Sequence, residues 1–243
     1  MKIKTQIFEK ISLIPSINDK FFISDKNIHH LKNVLRLKHG DIIKIIFNED
    51  YEALGEIIDV KKEVICNIIQ ISKCTNNYNL NVTVCFAICK ASQNELIAEK
   101  LTELGVKNIY FWNSEHTSYK FEGTNAKKER LEKIIEGASR QSKQTFIPKC
   151  EIFNSLNDVL KIISKDDSTI LYCSLDNERK MIRDLKNIKN NIYIFIGPEG
   201  DFSGNEYNTL KSLENAIPVT LGNSVLKSET AAIVATSLVF GMM

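Results

Sequence analysis

The sequence contains no run of eighteen apolar residues, so no segment has the length of hydrocarbon that a membrane-crossing helix needs. The stretch Met1-Lys2-Ile3-Lys4-Thr5 lacks the apolar centre of a secretion signal, and the two absences together predict a soluble cytoplasmic protein. Six cysteines, at 66, 74, 85, 89, 150 and 173, form no Cys-x-x-Cys pair, and the four histidines, at 29, 30, 39 and 116, supply no metal-ligand spacing. The expectation is therefore no metal, with thiols serving as small buried apolar groups in a reducing compartment. Neither a Gly-x-x-x-x-Gly-Lys-Ser/Thr loop nor a Gly-x-Ser-x-Gly elbow is present, which removes the support for a phosphate-binding hydrolase. There is no excess of one charge: 32 basic and 30 acidic residues leave +2, which neither favours nor excludes nucleic acid.

Local patterns say more than totals. Between Lys120 and Lys149 eight basic residues (Lys120, Lys127, Lys128, Arg130, Lys133, Arg140, Lys143 and Lys149) face four acidic ones (Glu122, Glu129, Glu132 and Glu136). Such a stretch is either a solvated helix face or a phosphate-tracking patch, and the count leaves both open. The first seventy residues read as short strands at Ile3–Phe8, Phe21–Ile23, Ile42–Phe47, Ala53–Val60 and Val64–Ser72, a spacing that suggests a small barrel. One helix over Asn27–Arg36 interrupts them, with Ile28, Leu31, Val34 and Leu35 on one face and Ser24 or Asp25 as cap. A polar linker, Ser72–Asn79, follows.

Beyond it strands and helices alternate, the signature of an α/β layer built on a mostly parallel sheet. Strands are predicted at Asn81–Cys89, Asn108–Trp112, Lys149–Ile152, Thr169–Ser174, Ile192–Ile196 and Ala216–Thr220. Helices are predicted at Gln93–Leu104, Ala126–Lys143, Ser155–Ile163, Asn205–Leu213 and Glu229–Phe240, two of them opened by capping boxes, Ser92-x-x-Glu95 and Ser203-x-x-Glu206. Ligands of open parallel sheets bind outside the carboxyl ends of the strands. Two glycine-bearing polar loops fall there. One is Ile196-Gly197-Pro198-Glu199-Gly200-Asp201, where glycine permits close backbone approach and proline stiffens the turn. The other, Leu221-Gly222 through Val225-Leu226-Lys227-Ser228-Glu229-Thr230-Ala231, feeds an alanine-bearing helix whose free first-turn amides can hold an anion.

Taken together, Ile-Gly-Pro-Glu-Gly at 196–200, Ser203-x-x-Glu206, Leu-Gly at 221–222 and Val-Leu-Lys-Ser-Glu-Thr-Ala at 225–231 closely resemble the signature of the RsmE family. Lys90, Glu95, Lys100 and Glu103-Leu104-Gly105-Val106 match its central pattern, and His30-x-x-x-Val34-Leu35-Arg36 with Gly40-Asp41 its amino-terminal one. The family methylates N3 of a uridine in bacterial small-subunit ribosomal RNA with S-adenosylmethionine. The resemblance implies a PUA-like, RNA-binding barrel over residues 1–73 and a SPOUT α/β domain with a carboxy-terminal trefoil knot over residues 76–243. It also implies a homodimer with each cofactor site near the interface, and small-subunit ribosomal RNA or the assembled subunit as partner. Three positions depart from the family: it carries Arg where this chain has Lys227 and Gln144, with Lys143 a neighbour able to supply the second charge, and an acidic residue where this chain has Gly137, with Glu136 as the neighbouring substitute.

On that resemblance the cofactor lies along Ile196, Gly197, Pro198, Glu199 and Gly200, and along Leu221, Gly222, Val225, Leu226, Thr230 and Ala231, with Leu171 and Tyr172 as a wall. Glu229 is the candidate proton acceptor, Glu199 its runner-up, and Lys227 the cation that stabilises charge developing on uridine. Lys32, Arg36, Arg140 and Lys143 are the expected RNA contacts. The competing readings are a methyltransferase for a different RNA site and an RNA-binding assembly factor without activity.

Overall fold

A computed structural model of the chain describes residues 2–61, 63–75, 80–119, 125–163, 167–175 and 179–242. The predicted linker positions Asn76, Asn77, Tyr78 and Asn79, and Lys120 and Glu122 of the basic stretch, lie outside the described residues. By their contacts the residues divide into one unit of 1–77 with 139–147 and another of 78–138 with 148–243.

In the first unit the alternating apolar residues form β1 (Ile3–Glu9), β2 (Lys20–Phe22), β3 (Ile42–Phe47), β4 (Tyr51–Asp59) and β5 (Ile65–Lys73), a five-stranded sheet in the order β1-β3-β4-β5-β2. β3, β4 and β5 pair as an antiparallel meander and β1 joins β3 in parallel. Ile7, Ile43, Ile45, Phe47, Ile57 and Ile68 are fully buried on its inner face. The helix differs from expectation. It begins at Asp25, as α1 (Asp25–His29), and then widens into a π turn over His30–Val34, closed by Leu35 N–H donating to the His30 carbonyl at 3.0 Å. The wider turn rotates the side chains, so Leu31 is buried while Val34 and Leu35, expected on the same face, are exposed. Ser24 does not cap it, because its hydroxyl donates to Glu9 Oε1 at 3.0 Å.

That glutamate is the centre of a buried network. Glu9 Oε1 also accepts from the Ser24 amide at 3.1 Å and from Asn27 Nδ2 at 2.8 Å; Asn27 Oδ1 in turn accepts from Arg140 Nη2 at 3.0 Å. Gln6 Nε2 donates to the Gln144 carbonyl at 2.6 Å. Buried polar groups must find partners inside the fold, and these bonds hold residues 139–147, the end of α3 (Asn125–Gln141) and the segment after it, within the first unit.

The second unit carries seven parallel strands: β6 (Asn81–Ala87), β7 (Asn108–Trp112), β8 (Lys149–Phe153), β9 (Ser168–Cys173), β10 (Lys180–Met181), β11 (Asn191–Ile196) and β12 (Ala216–Thr220). Their order is β10-β12-β9-β11-β6-β7-β8. The chain therefore steps outward through β7 and β8, restarts at β9 on the other side of β6, and later inserts β11 between β6 and β9. The short β10 and the 3-10 turn over Ile182–Asp184 were not predicted. The helices are α2 (Ala91–Leu104), α3, α4 (Leu156–Ile162), α5 (Gly204–Lys211) and α6 (Ser228–Phe240). Small buried residues of α6, including Ala231, Ala232 and Ala235, let it pack on α2.

Of the two predicted capping boxes one forms. Ser203 Oγ accepts from the Glu206 amide at 3.1 Å and Glu206 Oε2 from the Ser203 amide at 2.8 Å. The other is displaced, because α2 starts at Ala91: Gln93 Oε1 accepts from the Lys90 amide at 3.2 Å, and Glu95 instead pairs with Arg130 Nε at 2.6 Å. Glu206 does more than cap. It is buried, and it accepts from the Glu115 amide at 2.8 Å and from Ser114 Oγ at 3.0 Å, tying the loop after β7 to the start of α5. Glu206→Gln turns one of these oxygens into a donor facing donors and lowers stability by about 1–3 kcal/mol. The measurement is the urea midpoint, which falls at unchanged slope; a midpoint equal to the parent's refutes the assignment.

Candidate functional site

The carboxyl ends of β9, β11 and β12 open on a cavity of about 540 Å³ within the second unit. Its lining comes from the strand end Cys173-Ser174-Leu175, from Ile196–Glu199 with Asp201, and from Val219–Ser228 with Arg179 and Ala231. The first loop turns tightly: the Asp201 amide donates to the Pro198 carbonyl at 3.0 Å, and Asp201, at φ 61°, places Oδ1 2.8 Å from the Phe202 amide. The backbone at Gly197 is tightly approached, since a Cβ would stand 3.1 Å from the Phe202 nitrogen. In the second loop the Thr220 hydroxyl donates to the Gly222 carbonyl at 3.0 Å and accepts from the Gly222 amide at 3.3 Å, holding Gly222 at φ 140°.

A polar cluster borders the cavity where α2 and α6 begin. Gln93 Nε2 donates to Glu199 Oε1 at 3.1 Å and to Glu229 Oε2 at 3.4 Å, and Ser228 Oγ donates to the same Glu229 oxygen at 3.4 Å. Cys89 Sγ lies 3.7 Å from Ser228 Oγ. Burial pushes the Cys89 thiol up, the Ser228 hydrogen bond opposes the rise, and the Glu199 and Glu229 charges add to it. The Cys173 thiol is pushed up to about 12 by burial, with Asp201 adding. Both remain thiols at neutral pH and offer no nucleophile. Lys227 occupies the N-cap position of α6, its carbonyl accepting from the Ala231 amide at 2.8 Å and its exposed side chain taking no part in the cap.

The structure brings together Ile196, Gly197, Pro198, Glu199, Leu221, Gly222, Val225, Leu226, Lys227 and Ala231 on this one cavity, with Glu229 beside it through Gln93. Gly200 and Thr230 are exposed and do not line it. Leu171 and Tyr172 are placed differently from the expected wall. Both are buried in the sheet, Tyr172 edge-on to Phe202 and Tyr207 at 6.4 and 6.0 Å, and the lining at that strand end is Cys173, Ser174 and Leu175. A strand buried on both faces shows no alternation to mark where it emerges.

Gln93 and Arg179 were not singled out from sequence, and Ser228 and Asp201 were named only as members of the two loops. The signal for Gln93 was available: a glutamine three residues after Lys90 fits the third position of a helix start. In the first unit Lys32 Nζ donates to the Lys61 carbonyl and Arg36 is exposed at φ 50°. Arg140 contacts Asn27, and Lys143 is exposed at φ 60°. Within the basic stretch Lys128 pairs with Glu151 at 2.8 Å and Arg130 with Glu95, so part of its charge is spent on ion pairs. Among the described residues no group of three or more His, Cys, Asp or Glu could hold a metal, and no helix is long and apolar enough to cross a membrane.

Comparison with known proteins places these features. Residues 76–240 match the family model of an RNA methyltransferase domain and residues 23–69 that of an RNA methyltransferase PUA domain. The ribosomal RNA small subunit methyltransferase E of Buchnera aphidicola is 32% identical, over 90% of this chain and 87% of its own. The protein of that name from Mesomycoplasma hyopneumoniae is 31% identical over 89% and 94%. A Legionella pneumophila protein, solved with the cofactor SAM bound, superposes with a TM-score of 0.85 at 26% identity, covering 98% of this chain and 97% of that one. Two family models in register with the two kinds of sheet, and relatives of one name aligned along nearly the whole length, show that the chain belongs to the ribosomal RNA small subunit methyltransferase E family.

Proposed function

We propose that this protein transfers a methyl group from S-adenosylmethionine to N3 of a uridine in small-subunit ribosomal RNA. The observation that carries the reading is the cavity on which the loops after β9, β11 and β12 converge, bordered by Glu199, Glu229 and Lys227. Its residues fit the cofactor: the volume lies within the range of small-ligand pockets, Ile196, Val219, Leu221 and Leu226 give apolar walls, and Glu199 and Asp201 supply negative charge. A Cβ on Gly222 would meet no protein atom within 4 Å, so that backbone borders open space. When bound, the cofactor supplies a methyl carbon already activated by a cationic sulfur.

The protein's own task is alignment and proton removal. Uridine N3 carries a proton near neutral pH, and Glu229 is assigned to accept it, with Glu199 as second candidate. Lys227 stabilises the negative charge left on the flanking carbonyls. Backbone groups of Ile196, Gly197, Pro198 and Glu199 and of Leu221, Gly222, Val225 and Leu226 hold the cofactor, with Ala231 at the helix start and Leu171 and Tyr172 buried behind the strand end. Lys32, Arg36, Arg140 and Lys143 position RNA through phosphates. The reading takes residues 1–73 as a PUA-like barrel that binds RNA and 76–243 as a SPOUT domain with a knotted carboxy terminus, acting as a cytoplasmic homodimer. Late insertion of β11 between β6 and β9 supports the threaded topology.

Methylation at N3 blocks the pairing edge of the base, so reverse transcription of small-subunit RNA stops one nucleotide short of it. Deleting the gene is expected to remove one such stop, and a plasmid copy to restore it. Loss of a modification elsewhere moves the assignment to another RNA site, and an unchanged RNA defeats it.

A further inference from the structure

We propose that Gln93 is a positioning residue that holds Glu199 and Glu229 together as one proton-accepting unit, an assignment that rests on the methyltransferase reading above. Its amide has a fixed orientation. Oε1 accepts from the Lys90 amide at 3.2 Å, which leaves Nε2 to donate to Glu199 Oε1 at 3.1 Å and Glu229 Oε2 at 3.4 Å. The flipped amide would set a carbonyl against two carboxylates and an amino group against an N–H, losing all three bonds. The anchor is itself rigid: Lys90 is the N-cap of α2, and one residue before it the Cys89 backbone is clasped by the buried Asn94, whose Oδ1 accepts from the Cys89 amide at 3.0 Å and whose Nδ2 donates to the Cys89 carbonyl at 2.9 Å.

The choice of a neutral donor matters. A lysine in this place would neutralise one carboxylate; an amide holds both in place while leaving each charged, and the lone pairs of a carboxylate are what accept a proton. Glu229 is held by one oxygen only: Oε2 takes both Gln93 and Ser228, and Oε1 has no hydrogen-bond partner among the described residues. Glu199 is held through Oε1 in the same way, its Oε2 having no partner among the described residues. One oxygen of each is thus anchored and the other is left to act. The two carboxylates come from different loops, after β11 and at the start of α6, and the Gln93 side chain on a third element, α2, is the group that spans them.

Two substitutions separate this role from the helix cap that Gln93 also makes. Gln93→Glu keeps an acceptor for the Lys90 amide but removes the donor and adds a like charge. Gln93→Lys keeps a donor for the carboxylates but loses the acceptor. The inference expects Gln93→Glu to melt at the parent temperature and bind S-adenosylmethionine normally, yet to lose roughly tenfold or more in single-turnover rate at saturating RNA. It expects Gln93→Lys to melt lower and to lose rate as well, since its ammonium neutralises one carboxylate. A parent rate in Gln93→Glu, with a lowered melting temperature confined to Gln93→Lys, identifies a cap alone and overturns the inference, as does a parent rate in both variants. Loss of cofactor binding in Gln93→Glu overturns it in favour of a cofactor-site role. The parent protein is measured alongside: failure of the parent to transfer methyl to small-subunit RNA sinks the underlying reading, whereas an active parent with an equally active Gln93→Glu variant sinks this inference only.

Discussion

Gly222→Val is expected to weaken S-adenosylmethionine binding by roughly 100-fold or more, equivalent to about 2.8 kcal/mol, while the protein stays folded. Gly222 sits at φ 140°, a backbone conformation that side-chain-bearing residues rarely adopt, and a β-branched residue is among the least able to. No protein atom lies within 4 Å of the position its Cβ would take, so the cost is backbone strain and not collision. The loop can relieve that strain only by giving up the conformation in which the Thr220 hydroxyl clamps Gly222 from both sides. If it does not relax, the isopropyl group projects from a residue that lines the cavity. Either response spoils the cofactor surface, and neither touches the buried sheet. Titration calorimetry with S-adenosylmethionine measures the loss, and circular dichroism checks the fold. Unchanged binding heat in a folded variant removes the second loop from the cofactor site.

The strands of the second unit were legible as short runs of apolar, β-branched and aromatic residues, and Asn108–Trp112, Ile192–Ile196 and Ala216–Thr220 begin and end within a residue of their predicted bounds. Their lateral order was not, since nothing in the run Asn191–Ile196 says that it enters between β6 and β9. Local chemistry misled at two helix starts. Ser92 and Glu95 satisfy the spacing of a capping box, but α2 begins at Ala91, so Ser92 lies inside the helix and Glu95 pairs with Arg130. The turn at His30–Val34 follows the helical apolar period until a single added residue rotates Val34 and Leu35 outward, a change that no periodicity window detects. The role of residues 139–147 was hidden for a different reason. It depends on the buried contacts of Asn27 and Gln6 with Arg140 and Gln144, more than a hundred positions away in sequence. The cavity lining was largely readable, because Gly197 marks a close backbone approach and Gly222 a backbone conformation that side chains disfavour; the contacts of Gln93 were not, because Glu199 and Glu229 come from two other elements distant in sequence.

That same cluster frames the most demanding test, which concerns Lys227. Its backbone serves α6 by accepting from the Ala231 amide, but its exposed side chain contributes nothing to the helix. A cation that neither caps nor packs has its reason elsewhere, and its place between the Leu221–Leu226 loop and Glu229 puts it at the edge of the cavity. If it stabilises the uridine anion, it acts on the transition state more than on bound substrate, and Lys227→Met lowers the single-turnover rate at saturating RNA by roughly 100-fold. Because the side chain is exposed and makes no hydrogen bond or ion pair among the described residues, stability is expected to stay within about 0.5 kcal/mol of the parent. Lys227→Arg is expected to keep or raise the rate, since a guanidinium fork can meet a carbonyl and a phosphate together. A phosphate contact gives a different pattern: weaker RNA binding, a shallower dependence on salt and an unchanged rate once RNA is saturating. Finding that pattern in Lys227→Met would make Lys227 a positioning contact. Charge on the uridine carbonyls would then have to be met by another cation, and the assignment of Glu229 as proton acceptor would lose the neighbour that makes its chemistry favourable.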